Sequence, residues 1–209
     1  SLETGERAPL ITEDWDVMYV GYSHSGRYRV SGVNNDASTD VSLIDLQTGD
    51  AVVLNNVPAG DLAQVRFNRD ETAIAFGLNR DTAPYDLYYM PLGSEATRLT
   101  AALNPAINSE FMVEGEVVRF ASYDGLNVPG ILYQPREASS ENPAPALVWV
   151  HGGPGGQSRK GYSAAIQHLV NHGYAVYQIN NRGSSGYGKT FYHLDDLKHG
   201  EADLGDVVA

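Results

Sequence analysis

The sequence predicts two fold types in succession: partial blades of an antiparallel β-propeller over residues 1–113, then the start of a mostly parallel sheet covered by helices over residues 114–209. Three observations carry this. An internal repeat of about 45 residues runs through the first part, the length that a four-stranded propeller blade needs. Two continuous apolar runs, residues 147–150 and 174–179, flank an amphipathic segment, which is the pattern of a βαβ unit. Each apolar run also leads directly into a glycine-containing loop.

In the first part, Tyr22-Ser23-His24-Ser25-Gly26 matches Phe67-Asn68-Arg69-Asp70-Glu71, each an aromatic followed by a polar turn and a new strand. Residues 40–46 match 86–92 in the same way, and residues 46–54 have their counterpart in 92–99. By the same offset, residues 3–10 read as the last hairpin of a preceding blade, so that roughly two and a quarter blades are expected. The alternative is a small β-sandwich in which two hairpins happen to be alike. A propeller of so few blades leaves sheet edges unpaired, so the chain is expected to be an internal portion of a longer one.

From residue 114 the pattern changes. Residues 117–122 and 128–133 read as strands joined through the Asp124-Gly125 turn, and residues 136–145, polar and containing Pro143 and Pro145, read as a surface loop. Residues 147–150 form a continuous apolar run, expected to be a strand buried on both faces. Residues 163–172 place Ala165, Ile166, Leu169 and Val170 on one helical stripe, with Gly173 set to end the helix in a left-handed cap, and residues 174–179 supply the next strand.

Composition narrows the function. The formal charge is −12 and Lys160, Lys189 and Lys198 are the only lysines, which argues against nucleic acid and anionic membrane as partners. No apolar run approaches the ~20 residues of a membrane span. The absence of cysteine removes disulfides and thiolate metal sites but leaves the compartment open; a cytoplasmic location is the expectation.

Three segments have residues suited to chemistry. The first is His151-Gly152-Gly153-Pro154, directly after the first apolar run. Glycines let the main chain approach an acyl oxygen without a Cβ in the way, so a backbone N–H here suits an oxyanion; a glycine-rich turn with no ligand is the alternative. The second is residues 180–188, at the carboxyl end of the second run, where ligands bind in open α/β sheets. Arg182 there either faces a substrate or braces the loop through its several donors. The segment has no Gly-Lys-Ser/Thr in phosphate-loop register. The third, His193, Asp195, Asp196, His199, Glu201, Asp203 and Asp206, has metal-ligand residue types without a His-Glu-x-x-His or EF-hand pattern. It reads as a solvated acidic helix start, with Asp203 or Asp206 complementing the helix dipole, and neither metal nor cofactor is expected. No Gly-x-Ser-x-Gly occurs in the 209 residues, and Ser158, Ser163, Ser184 and Ser185 lack the strand–elbow–helix context of a nucleophile.

Blade-like repeats, the Phe120-Ala121-Ser122-Tyr123-Asp124-Gly125 hairpin, Gly130-Ile131-Leu132-Tyr133-Gln134-Pro135, His151-Gly152-Gly153-Pro154 and then residues 180–188 follow one another in an order that resembles the prolyl oligopeptidase family of serine peptidases, closest to its acylaminoacyl-peptidase and oligopeptidase branch. The resemblance implies a β-propeller portion followed by the N-terminal part of an α/β-hydrolase domain. It implies that the Gly153 N–H is an oxyanion donor, that His151, Gly152 and Pro154 shape the oxyanion loop, and that Asn180, Arg182, Gly183 and Tyr187 support the site. It further implies a peptide or acyl-peptide substrate and a Ser/Asp/His triad beyond Ala209, without which this portion is inactive. Association with the remainder of the protein, or a homo-oligomer, is compatible with this reading. An esterase or acyl-amide hydrolase, or a non-catalytic binding protein on the same scaffold, are the alternatives.

Overall fold

A computed structural model describes residues 2–153 and 155–209 of the chain. Most of the structure is antiparallel sheet with a few short helices. The first sheet contains β1 (Asp16–Tyr22), β2 (Tyr28–Asn35) and β3 (Ser38–Asp45), in that order, with Ala51 bridging to Ile44 where a fourth strand would lie. The second contains β4 (Asp61–Phe67), β5 (Ala73–Arg80), β6 (Ala83–Pro91) and the two-residue β7 (Thr97–Arg98).

The sequence repeat is a repeat of turn chemistry. In the first sheet Ser23 Oγ accepts the Tyr28 N–H at 3.0 Å, and in the second Asn68 Oδ1 accepts the Ala73 N–H at 3.0 Å, the same turn closed by a different polar side chain. Gly26 (φ +80°) and Glu71 (φ +54°) occupy the matching left-handed position of the two turns. The Glu71 carboxylate accepts the Ser25 hydroxyl at 2.6 Å and so joins one turn to the other. A shared core lies between the sheets, where Tyr28 stacks on Phe67 with centroids 5.2 Å apart and Phe76 stacks on Tyr88 at 5.5 Å, around fully buried Met90. Residues 3–10 form no strand. They are exposed, and among the described residues no strand lies beside them to supply the hydrogen bonds that an outer blade strand requires.

The third sheet has the order β10-β11-β9-β8. Its elements are β8 (Glu116–Ala121), β9 (Asn127–Tyr133), β10 (Ala146–Val150) and β11 (Ala175–Ile179). The β10–β11 pair is parallel and is joined by helix α1 (Ala164–Asn171), whereas β9 runs antiparallel to β11. Ser163 caps α1 by accepting the Ile166 N–H, and Gly173 (φ +88°) ends it in the left-handed conformation expected of a helix C-terminus. The buried face of α1 is Ile166, Gln167 and Val170; Ala165 is exposed, because Gln167 turns inward to bond both the N–H and the C=O of Val113.

The expectation for residues 147–150 is corrected. All of β10 is solvent-exposed, from 38% at Leu147 to 50% at Val148 and Val150. The strand lies at the sheet edge, and among the described residues no layer covers its faces. Two short helices follow β11: α2 (Gly188–Tyr192) and α3 (Ala202–Val208). Among the described residues no helix is long and apolar enough to cross a membrane.

The first sheet meets the third through the β2–β3 turn. Asp36 and Ala37 have positive φ, which folds the tip tightly enough for Ala37 to be wholly buried against Ile131, Tyr133, Ile166, Val170 and Val176. Asp81, at the end of β5, is the second joint: it accepts the Tyr133 hydroxyl at 2.8 Å and the N–H groups of Gly115 (3.0 Å) and Gly161 (2.8 Å). Burial, with the Asp81 charge beside it, pushes the Tyr133 hydroxyl pKa far above its usual value, so this tyrosine is a donor at all physiological pH.

Candidate active site

His151, Gly152 and Gly153 follow β10 directly, and residues 180–187 follow β11, so both loops emerge at the carboxyl ends of a parallel pair. Gly153 has φ +74°, and a Cβ built on either Gly152 or Gly153 meets open space. The glycines are needed for backbone conformation at 153 and leave that stretch of main chain bare on its outer side. Pro154 lies outside the described residues. Beyond it the chain is pinned back to the β-rich part, with Arg159 donating to Thr39 Oγ1 at 2.7 Å and Asp61 Oδ1 at 3.0 Å, and Asn34 donating to Gln157 at 2.7 Å.

The two loops are tied by His151 and Ser184, whose Nε2 and Oγ are 2.9 Å apart. Ser184 donates its own hydrogen to Asn181 O at 2.6 Å, so it receives one from His151. Although serine and histidine are adjacent, Ser184 is wholly buried and its hydroxyl is engaged, which makes the pair a strut and not a nucleophile with its base. Asn180 is likewise wholly buried: its Oδ1 accepts the Ser158 N–H at 2.6 Å, and its amide donates to Ser158 O and to the Tyr187 hydroxyl at 2.9 Å. Tyr187 packs edge-on against Trp15 at 6.0 Å, and burial raises its hydroxyl pKa.

Arg182 is 6% exposed and braces the loop. Its Nε and Nη2 reach the Asp206 carboxylate at 2.8–3.1 Å, and its Nη1 and Nη2 reach Asp124 at 2.9 and 3.0 Å. Its own backbone N–H also bonds Asp206, at 2.7 Å, and its guanidinium lies 4.7 Å from the Tyr123 ring centroid. Hydrogen bonds to Asp206 and then Asp124 raise the guanidinium pKa further, and the same contact lowers that of Asp124. Of the acidic cluster, Asp206 and Asp195 are buried at 1% and 2% exposure, which corrects the expectation that the whole cluster is solvated. An arginine with its donors engaged in this way needs acids from outside its own loop.

The residues that sequence reasoning did not single out are Asp124 and Ser122, whose hydroxyl donates to Asp206 at 2.6 Å. The available signal was chemical: Asp206 sits among Leu204, Val207 and Val208 in a helix, where a buried acid requires a cation. Gly183 (φ +91°) leaves no room for a side chain, since a Cβ would lie 2.3 Å from the Asp195 carboxylate. A cleft of about 220 Å³, whose lining includes Val150, His151, Asn181, Asp203, Leu204 and Val207, opens between the two loops and α3.

Comparison with known proteins agrees with this order of elements. A model described as "Prolyl oligopeptidase family" matches residues 160–209. An uncharacterized peptidase of Bacillus subtilis is 33% identical over 139 residues, covering 66% of this chain and 21% of the relative. Dipeptidyl aminopeptidase BIII of Pseudoxanthomonas mexicana is 32% identical over 145 residues, again covering 66% and 21%. The chain thus spans about a fifth of the length of these relatives. Among solved structures, a puromycin-hydrolyzing peptidase of Mycobacterium tuberculosis superposes with a TM-score of 0.78 at 21% identity, over 92% of this chain and 30% of that one. Pyrococcus horikoshii acylaminoacyl peptidase gives 0.71 at 23% identity, over 94% and 30%.

Proposed function

The chain belongs to the prolyl oligopeptidase family, and on that footing we propose that it is a portion of a serine peptidase that cleaves oligopeptides or N-acylated peptides through an acyl-enzyme. In this reading residues 1–113 are propeller blades and residues 114–209 begin an α/β-hydrolase domain. The observation that carries it is the bare main chain at Gly152 and Gly153, at the carboxyl end of a parallel strand and tied through His151 to the loop after the neighbouring strand.

The Gly153 N–H is assigned to the substrate acyl oxygen. As the scissile carbonyl becomes tetrahedral, negative charge grows on that oxygen, and a fixed donor stabilises it more than it does the ground state. A single donor of this kind contributes about 3 kcal/mol. Gly152 shapes the turn, and the Ser184 strut sets its distance from the second loop. Asn180, Arg182, Gly183 and Tyr187 hold that second loop and do not touch substrate. The nucleophile, acid and base come from outside these 209 residues, so this portion alone has no turnover.

The test uses a fluorophosphonate serine probe and chromogenic peptide substrates on the longer protein and on the 209-residue chain. The longer protein is expected to be labelled and to release product, and the short chain to do neither. A longer protein that ignores the probe defeats the reading, and one that cleaves esters but no peptide replaces it with an esterase.

A further inference from the structure

Asp195, His199 and Asp203 come together where the segment after α2 meets the start of α3, and Asp203 also lines the cleft between the two loops and α3. One ligand atom from each lies within 4.8 Å of the others. Three such residues at a surface would by themselves say little, because exposed acidic groups commonly gather at a helix start. The decisive feature is Asp195. Its side chain is only 3% exposed, and Oδ2 receives no hydrogen bond among the described residues.

A carboxylate oxygen buried without a donor is costly. Its close polar neighbour is His199 Nδ1 at 2.8 Å, yet that contact is not aligned as a hydrogen bond. Two ligand atoms this close with no hydrogen bond between them can be bridged by one cation with only a small outward shift, since tetrahedral bonds of about 2.1 Å set neighbouring donors roughly 3.4 Å apart. Asp203 engages the Gly200 and Leu204 N–H groups through Oδ1 alone, at 2.7 and 2.9 Å. Its second oxygen takes no part in those bonds, and it brings a second negative charge toward a carboxylate oxygen that receives no hydrogen bond.

We propose that Asp195, His199 and Asp203 form a binding site for a divalent cation of the zinc class, with water completing the coordination. One imidazole and two carboxylates suit such an ion, whereas Mg²⁺ and Ca²⁺ sites are built from oxygen alone. The cation would neutralise the buried Asp195 and link the start of α3 to Gly183, because the Asp195 carboxylate packs directly against the Gly183 backbone. Asp203 borders the cleft between the two loops, but none of the three residues is assigned to substrate, so the site does not depend on the peptidase reading.

The test is equilibrium dialysis of Zn²⁺ against the chelator-treated 209-residue chain, read by atomic absorption, with far-UV circular dichroism to verify folding. One tightly bound equivalent is expected. His199→Ala, at an exposed position, and Asp203→Asn, at a half-buried one, should each weaken binding by more than about tenfold, the lower end of what even outer-shell changes do. His168→Ala with His172→Ala, removing a close histidine pair outside the site (ring centroids 4.1 Å apart), should leave binding unchanged. The proposal is overturned if no Zn²⁺ is retained at millimolar concentration. It is equally overturned if the folded His199→Ala/Asp203→Asn chain binds as tightly as the parent.

Discussion

Replacing Arg182 with methionine tests most directly how the candidate site is held. Methionine keeps the length and apolar stem of arginine but removes the guanidinium, leaving Asp206 with the Ser122 hydroxyl and one backbone N–H as donors. The Asp206 side chain has no solvent exposure, so water does not replace what is lost. Removing one partner of a buried, hydrogen-bonded ion pair costs about 3–5 kcal/mol, well above the ~0–1 kcal/mol of an exposed pair. Asp124→Asn touches the same guanidinium from its exposed side, where Asp124 keeps 42% of its side-chain accessibility, and should leave stability nearly unchanged. Urea denaturation followed by tryptophan fluorescence distinguishes the two. Arg182→Met should move the midpoint far more than Asp124→Asn, and Arg182→Lys should lie between them, because an ammonium cannot serve both carboxylates with the arginine's planar fork. Equal, small shifts for Arg182→Met and Asp124→Asn would refute the claim that the buried half of this network organises the loop.

Three further outcomes are expected. Gly183→Ala meets both a positive φ and the Asp195 carboxylate 2.3 Å away, whereas Gly125→Ala (φ +85°) meets open space; the second should cost about 1–2 kcal/mol for backbone strain alone and the first clearly more, by thermal melting. Phe76→Ala, at 1% exposure and stacked on Tyr88, should cost about 3–5 kcal/mol in the same assay. For Asp86, burial raises the carboxyl pKa, but the Ala102 N–H, the Thr100 hydroxyl and Arg98 outweigh it and hold the group below its ordinary 3.8. A depressed carboxyl contributes stability above its unfolded pKa and loses it as pH falls through the folded one. The destabilisation by Asp86→Asn should therefore be full at neutral pH and shrink below about pH 4, as urea midpoints across that range would report.

Much of the fold was legible because it depends on short-range chemistry. The polar turn after Tyr22 recurs after Phe67 because Ser23 and Asn68 each close a turn with an N–H five residues on. Ser163 and Gly173 bound α1 for similarly local reasons. The site was legible in part: glycines at 152 and 153 announce a bare main chain, and Arg182 announces a need for partners, but not which ones.

The sequence by itself determined where most strands, turns and caps fall, since those follow from contacts within a few residues along the chain; residues 3–10 are the exception, a hairpin by pattern that forms no strand. Tertiary structure alone decided which acids meet Arg182, because Asp124 and Asp206 lie 58 and 24 residues away and only the fold brings them to one guanidinium. It also decided that Leu147, Val148, Trp149 and Val150 face solvent. An apolar run states that a strand is fit for burial, and whether it is buried depends on what packs beside it.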